Sequence, residues 1–247
     1  MDPDVSRETP SAPELARGAF PSDRMALVER YAELLSTEGV VRGLIGPREA
    51  PRLWDRHLVN CALLADLIPH GASVCDIGSG AGLPGLVLAL ARPDLQVTLV
   101  EPLLRRTTFL EEVAGELHLA NVEVVRGRAE SVHGQRQFEV VTSRAVAPLD
   151  RLLGWSMPLV APQGALVAMK GSSIGEEIES ARATLDRLGC AEPEVVVLGE
   201  GGPVSPTVAV RVAWADPRQV SLPLATGPAT RRSADRARST AKRRRSR

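Results

Sequence analysis

Acidic residues flank a glycine-rich segment at a spacing suited to binding a nucleoside. Residues 74–85 read VCDIGSGAGLPG, so Asp76 stands two residues before Gly78, and Glu101 follows 23 residues after that glycine. Glycines let the backbone turn tightly and approach a ligand closely. A carboxylate at Asp76 would repel a pyrophosphate and favour a cation such as an ammonium or a sulfonium. A carboxylate at Glu101 is placed to accept hydrogen bonds from both hydroxyls of a ribose.

The glycines alone leave the ligand open, because residues 80–85 also match the dinucleotide pattern G-x-G-x-x-G. The combination of Asp76 and Glu101 with Gly78 and Gly80 favours S-adenosylmethionine, which carries a cationic ammonium and a cationic sulfonium. A nicotinamide cofactor and the absence of any cofactor are the two alternatives.

A further segment, GRAE at residues 127–130, follows the next β-branched run. Rossmann methyltransferases hold the adenine at this place through backbone groups, which indicates Ala129 and Glu130. Glu130 has a second interpretation, as an acidic residue stabilised by the dipole at a helix N-terminus. The two interpretations are compatible.

The segment SRAVAP at residues 143–148 is expected where the methyl group meets its acceptor. It lacks the Asp/Asn-Pro-Pro-aromatic motif of base-amino methyltransferases, a nearby cysteine for attack at pyrimidine C5, and a histidine to deprotonate a hydroxyl. An acceptor with a ready lone pair remains, and guanine N7 is one such atom, for which orientation suffices. Arg144 could present its planar fork to guanine N7 and O6 or to the methionine carboxylate, or could be an ordinary ion-paired arginine.

Four other basic residues each have two interpretations. His57 either bonds a strand-end loop or contacts substrate, and it is not an obvious general base. Arg105 and Arg106 open the helix after Glu101, where they either meet phosphate or form a solvated face. Lys170 ends a predicted strand beside the site, where it either contacts RNA or supports the site.

The elements that position these residues alternate between strand and helix after residue 71. Strands are predicted at 72–77, 95–101, 121–126, 138–143, 164–170, 193–199 and 206–214, and helices at 22–38, 48–68, 84–91, 103–118, 129–133, 148–159 and 175–189. This alternation is typical of a parallel sheet covered by helices. Only residues 200–205 separate the last two strands, which must therefore pair antiparallel. The prediction is an α/β, Rossmann-like class I methyltransferase fold with seven mostly parallel strands and an N-terminal helical extension.

Composition supports one large domain with extensions. The chain has 247 residues, of which 44% are hydrophobic and 24% charged, so disorder of the whole chain is excluded. Aromatic residues at 3% argue against a stacking platform for single strands. The three cysteines are far apart and no metal-binding pattern accompanies them, and no membrane span or signal peptide is visible. These features predict a cytoplasmic protein without a metal.

The zero net charge conceals an acidic body and a basic tail. Residues 226–247 contain nine arginine and lysine residues and one acidic residue, a net charge of +8, which leaves −8 on the rest. The tail has few large apolar residues, so it is expected to be disordered. Such a tail either contacts nucleic acid or remains solvated. The predicted organisation is a flexible leader at 1–20, N-terminal helices at 21–70, the cofactor-binding domain at 71–216 and the basic tail region at 217–247.

The ordered set of motifs resembles the glucose-inhibited division protein B family, the ribosomal RNA small-subunit methyltransferase G family. The resemblance covers residues 24–214 and is carried by RHLVNCALLADL, CDIGSGAGLPGLVLALARP, LVEPLLRRTTFLEEVAGEL, GRAE, SRAVAPL and MKG. It implies methyl transfer from S-adenosylmethionine to N7 of one guanine in 16S rRNA near the decoding centre, within the small ribosomal subunit. It also implies cofactor-binding roles for Gly78, Leu83, Ala129, Glu130 and Arg144.

Two other functions remain open from the sequence. A small-molecule methyltransferase would share the fold but would want an aromatic lid or pocket. A non-catalytic ribosome-assembly factor could retain the fold and its cofactor site without the reaction.

Overall fold

The computed structural model describes residues 14–201 and 204–220, which form one seven-stranded sheet with helices on both faces. The strands are β1 (Ser73–Ile77), β2 (Gln96–Glu101), β3 (Val122–Arg126), β4 (Phe138–Arg144), β5 (Val160–Lys170), β6 (Glu194–Leu198) and β7 (Thr207–Ala213). Their order is β3-β2-β1-β4-β5-β7-β6. All seven predicted strands are present, and the predicted fold class is confirmed.

The strand order reverses beside β1, which is paired in parallel with β2 on one side and with β4 on the other. Ligands in open α/β sheets bind in the crevice that such a reversal opens beyond the carboxyl ends of the strands. Asp76, Glu101 and Arg144 lie at the carboxyl ends of these strands, so the fold brings them to a single edge. The antiparallel pairing of β6 with β7 confirms the prediction from the short connection. β7 also pairs antiparallel with β5 and so lies between β5 and β6.

The strand β5 begins at Val160, four residues earlier than predicted. Val160 pairs with Phe138, and the next partners are Val140 and Ala165, so the chain bulges between the two pairs. Pro162 lies in this bulge, where its missing N–H costs no ladder hydrogen bond. The predicted helix at 148–159 accordingly ends sooner, as a 3₁₀ turn at Met157–Leu159.

Six α-helices pack on the sheet within the described residues. They are α1 (Met25–Leu34), α2 (Val59–Ala62), α3 (Gly85–Ala91), α4 (Leu104–Glu116), α5 (Leu149–Ser156) and α6 (Ile174–Leu188). The single helix predicted at 48–68 is instead wound unevenly. It consists of a 3₁₀ turn at Ala50–Arg52, a wider π-helical turn at Leu53–Leu58, α2, and a second 3₁₀ turn at Leu63–Leu67. Such wide turns are frequent near functional sites.

Alternate residues of the strands supply the two cores. One core joins α1, α2, α3 and α4 to one face of the sheet, and the other joins α5 and α6 to the opposite face. The N-terminal helices therefore share a core with the sheet. None of the helices in residues 14–201 and 204–220 is long and apolar enough to cross a bilayer.

The two ends of the described chain are more ordered than the sequence predicts. Ala16 and Phe20, expected in a loose leader, are buried in the core. At the other end, residues 217–219 form a 3₁₀ turn capped by Asp216, whose carboxylate accepts a hydrogen bond from the Arg218 amide at 3.0 Å. The first 13 residues and the basic stretch 226–247 lie outside the described residues.

Candidate functional site

The glycine-rich turn between β1 and α3 is folded tightly across the end of β2. The amides of Gly78 and Ser79 both donate to the Val100 carbonyl, at 2.8 and 3.3 Å. Gly78 has a left-handed φ of +68°, and a Cβ there would lie 3.0 Å from a methyl group of Val146. Residues other than glycine rarely adopt this backbone conformation. The turn thus requires glycine at this position because of both its conformation and its close approach to the segment after β4.

Glu101 lies at the wall of a groove beside this turn, with a carboxylate held by backbone amides. Its Oε2 accepts from the Gly80 amide at 3.0 Å and its Oε1 from the Leu103 amide at 3.1 Å. Arg106 Nη1 approaches Oε2 at 3.5 Å. A carboxylate offers about four lone-pair sites, so with these three donors an acceptor site remains for a hydroxyl of a ligand, although Glu101 is only 1% exposed.

The negative charge of Asp76 suggested contact with a cationic ligand, but the structure buries this residue beneath the glycine-rich turn. Its carboxylate has no exposed surface, and Oδ2 accepts a hydrogen bond from the Gly85 amide at 3.0 Å. Alternation along β1 turns this side chain beneath the glycine turn, toward the start of α3. A Cβ at Gly85 would lie 2.7 Å from Oδ2, so the glycine makes room for the carboxylate. Burial raises the pKa of Asp76 to about 7, and the group supports the turn from behind.

Two adjoining concavities run along the carboxyl ends of β1, β2 and β3. The larger, here called the glycine groove, has a volume of about 570 Å³ and is lined by residues 78–81, Leu83, Glu101 and the segment after β4. The smaller, the side pocket, has about 260 Å³ and is lined by Ala129, Glu130 and Trp155. Gly78, Pro102 and Val146 line both. The two concavities therefore adjoin along these three residues.

A third concavity, the outer cavity, opens on the far side of residues 144–146. It has a volume of about 680 Å³, and its walls include Asn60, Lys170 and Thr207. Residues 144–146 line both this cavity and the glycine groove. We refer to these three residues as the divider. Ala145 in the divider has a left-handed φ of +52°. This conformation is uncommon for residues other than glycine, and where it occurs it tends to be at functional sites.

Arg144 at the end of β4 is held by the helical segment that precedes β1. Its Nη2 donates to His57 Nδ1 at 2.6 Å and to the Arg56 carbonyl at 3.3 Å, and its Nη1 lies 3.4 Å from Cys61 Sγ. The imidazole of His57 in turn bonds Glu49 Oε2 through Nε2 at 2.9 Å. The bond between His57 and a strand-end residue is the structural alternative that the sequence left open.

Lys170 at the end of β5 supports the connection that follows the divider. Its ammonium donates to the Ala147 carbonyl at 2.8 Å and to Glu177 Oε2 at 2.7 Å, and its side chain is only 8% exposed. The same Glu177 oxygen accepts from the Leu149 amide at 2.9 Å, at the start of α5. These contacts match the site-support interpretation of Lys170.

Several residues that line these concavities were not singled out from the sequence, and three of them are informative. Trp155 on α5 lines the side pocket, while Leu44 and Ile45, which follow α1, line the glycine groove. The low aromatic content gave no reason to single out Trp155, although its position shortly after the segment SRAVAP indicates that it lies near the site. Nothing in the local pattern indicates that residues 44–45 return to the sheet edge.

Comparison with known proteins places the sequence of this chain in a family. Residues 24–203 match the family described as GidB, rRNA small subunit methyltransferase G. A relative named ribosomal RNA small subunit methyltransferase G from Nocardioides sp. is 67% identical and covers 99% of both chains. A relative of the same name from Streptomyces avermitilis is 57% identical over 83% of this chain and 87% of its own.

Solved structures share the fold at low sequence identity. The tRNA methyltransferase TrmK of B. subtilis has a TM-score of 0.51 at 17% identity and covers 66% of this chain and 70% of its own. MtNAS, in complex with MTA and tNA, has a TM-score of 0.52 at 19% identity and covers 77% and 74%. These neighbours show that the chain has a methyltransferase fold. The sequence matches show that the chain belongs to the rRNA small subunit methyltransferase G family.

Proposed function

We propose that the protein transfers a methyl group from S-adenosylmethionine to N7 of a guanine in 16S rRNA within the small ribosomal subunit. The observation that carries the proposal is the divider, which forms a shared wall between the glycine groove and the outer cavity. A donor in the groove and an acceptor base in the cavity would meet at this wall. The rRNA substrate implies that the protein acts in the cytoplasm.

The residues of the groove fit the cofactor. The glycine groove has the size of small-molecule sites, and Glu101 retains acceptor capacity for ribose hydroxyls. Gly80 leaves open space, since the nearest atom to a Cβ there lies 3.8 Å away. The side pocket offers Ala129 and Glu130 with the indole of Trp155 to an adenine. When bound, S-adenosylmethionine supplies a methyl group on a cationic sulfur. Gly78, Gly80, Leu83 and Glu101 would hold it, while Asp76 acts through the turn.

The acceptor side favours an atom that needs no deprotonation. Both nitrogens of His57 are engaged, and the Lys170 ammonium is paired with Glu177. Burial raises the pKa of the Cys61 thiol to about 11, so it is protonated and weakly nucleophilic at neutral pH. Guanine N7 has a lone pair and no proton to lose. The role left for Arg144 and the other residues of the divider is therefore to orient the acceptor base.

The edge of the sheet around the glycine groove and the side pocket carries exposed basic residues. Arg105 at the start of α4 and Arg126 and Arg128 at the end of β3 are all exposed. They lie near the carboxyl ends of β2 and β3, on the side of β1 away from the outer cavity, where an RNA that extends across the whole site would meet them. Phosphate contacts of this kind provide affinity and orientation without reading sequence.

Methyl transfer to isolated small subunits tests the proposal. Labelled S-adenosylmethionine is incubated with subunits, naked 16S rRNA and a panel of small-molecule acceptors, and the modified nucleotide is located by mass spectrometry. We expect 7-methylguanine in 16S rRNA. Transfer to a small molecule instead, or cofactor binding without any transfer, would support one of the two rival functions.

The Arg144→Lys variant tests the acceptor wall. A lysine lacks the planar fork, so methyl transfer should fall by about tenfold or more, the loss expected from one charge-assisted hydrogen bond. The exposed Arg151 on α5 offers a matched control as Arg151→Lys. A wild-type rate in the Arg144 variant would remove this residue from the site.

A further inference from the structure

We propose that His57 and Glu49 are positioning residues that hold the Arg144 guanidinium at the divider. The inference rests on the proposed function, in which the methyl donor and the acceptor base meet at the divider. It assigns a role to the N-terminal helical segment, which contributes Leu44 and Ile45 to the glycine groove and Arg56 and Asn60 to the outer cavity.

The three side chains form a continuous chain of short hydrogen bonds. Glu49 Oε2 lies 2.9 Å from His57 Nε2, and His57 Nδ1 lies 2.6 Å from Arg144 Nη2. A guanidinium has only donors, so Nδ1 must accept. The imidazole is therefore neutral, carries its proton on Nε2 and donates it to Glu49. The geometry allows one tautomer.

The chain links segments that are far apart in sequence. Glu49 lies before the first 3₁₀ turn at residue 50, His57 lies in the π-helical turn and Arg144 ends β4. The wide turn buries His57, which is 9% exposed, although the residue lies next to the exposed side chain of Arg56. The carbonyl of Arg56 accepts a second hydrogen bond from the same Arg144 nitrogen that contacts His57. Both acceptors of this Arg144 nitrogen thus come from one helical segment.

The charges around His57 keep its ring neutral. Arg144 faces it from β4, Arg56 adjoins it on its own segment, and Glu49, itself close to Arg52, faces it from the preceding turn. The Cys61 thiol lies on the other arm of Arg144. Burial, followed by Arg144, lowers the pKa of His57, while the hydrogen bond to Glu49 raises it. Protonation of Nδ1 would point an N–H at the guanidinium and break the contact.

Nitrogen-15 NMR of the histidine rings tests this geometry without any assay of activity. The chain has four histidines, and a His57→Asn variant identifies the signals of His57 by their loss. We expect an unprotonated Nδ1 and a protonated Nε2 at neutral pH. The Arg144→Leu change should raise the pKa of His57, and Glu49→Gln should lower it. The opposite tautomer, or a His57 pKa that neither change moves, would overturn the inference.

Methyl transfer across pH separates positioning from a merely structural role. His57→Leu removes the acceptor and should lower the rate about 10- to 100-fold, the range for loss of a charge-assisted hydrogen bond. The wild-type rate should decline at acid pH, because protonation of His57 Nδ1 breaks its contact with Arg144. His57→Asn carries an amide oxygen near the place of Nδ1, so it should retain most activity and show no such decline. Glu49→Gln should move that decline to lower pH.

The exposed His70, whose side chain is 90% exposed, provides the control as His70→Asn. Circular dichroism and thermal unfolding show that each variant is folded. A folded His57→Leu variant with the wild-type rate, or an acid decline unchanged in His57→Asn, would overturn the inference. Absence of methyl transfer by the wild-type protein would instead contradict the proposed function, while the NMR measurement would still decide whether His57 holds Arg144.

Discussion

The carboxyl group of Asp76 is buried against the Gly85 amide, and its stability contribution depends on pH. Burial raises its pKa from 3.8 to about 7. Between these values the folded chain retains a proton that the unfolded chain has released. The stabilisation is therefore fully present below about pH 4 and is lost as the pH rises through about 7.

An Asp76→Asn variant should lack this pH dependence. The amide oxygen can still accept from Gly85, and no charge forms. The free energy of unfolding of the wild type should fall between about pH 4 and 7, by at most about 4 kcal/mol, and the curve of the variant should be flatter. Urea unfolding at several pH values measures this. The exposed Asp186 supplies a control as Asp186→Asn, and parallel curves for wild type and Asp76→Asn would contradict the prediction.

Asp76 also shows where reasoning from residues reaches its limit. The sequence brings Asp76 and Glu101 to the same edge, because parallel strands that are joined through helices end on the same side. It does not show which face of β1 the helix α3 covers. That packing decides that Glu101 borders the groove while Asp76 lies beneath the turn. The contacts of Arg144 and Lys170 were equally hidden, because their partners His57 and Glu177 lie on other elements.

Among the elements, the glycine turn is constrained at Gly78 by both its backbone conformation and a close neighbour. Gly78 and Gly71 have nearly the same left-handed φ, +68° and +69°, but a Cβ meets Val146 at Gly78 and nothing within 4 Å at Gly71. Gly71→Ala is thus a control for the backbone cost, about 1–2 kcal/mol. We expect Gly78→Ala to lose affinity for S-adenosylhomocysteine in calorimetry, while Gly71→Ala keeps it. Equal affinities would show that the contact with Val146 does not shape the groove.

The connection after the divider depends on Glu177 of α6. Its Oε2 accepts from both Lys170 and the Leu149 amide, so Glu177→Gln leaves the largely buried ammonium of Lys170 without a counter-charge. We expect a loss of about 1–3 kcal/mol in the free energy of unfolding, below the cost for fully buried pairs because Glu177 is partly exposed. The adjacent, exposed Glu176 gives a matched control as Glu176→Gln. Equal stabilities in chemical denaturation would argue against a structural pair.

Strands were easier to predict than helices at this scale. Buried β-branched runs such as those of β1 and β2 are bounded by glycine and proline. Six of the seven predicted strands match the structure within one residue at each end, and β5, which starts four residues early, is the exception. The uneven winding of residues 50–67 has no such signal, because π and 3₁₀ turns differ from an α-helix by one hydrogen-bond step. The contacts made by these turns are tertiary: Trp54 is buried in the core, and His57 is bonded by Arg144 at the end of β4.

Over the whole molecule, the separation of charge suggests how a net-acidic body meets a polyanion. The body outside residues 226–247 carries −8 and that stretch +8, and the exposed arginines near the site are local exceptions. If about five of the nine basic residues of the stretch engage phosphates, deleting it should flatten the slope of log affinity against log salt by roughly 3 to 4 units. Filter binding to small subunits at several salt concentrations measures the slope. Cofactor affinity should be unchanged, and superimposable slopes would assign RNA binding to the body.

The indole of Trp155 gives the molecule an optical reporter. Trp54 and Trp214 are buried, with 6% and 7% of their surface exposed, whereas Trp155 is partly exposed in the wall of the side pocket. A purine entering that pocket would change the polarity and the quenching around this one fluorophore. Titration with S-adenosylhomocysteine should therefore alter the intrinsic emission of the wild type, and Trp155→Phe should bind in calorimetry while its emission stays constant. An emission change that persists in Trp155→Phe would place the adenine outside the side pocket. With the expected result, each binding event can be followed in real time without a label.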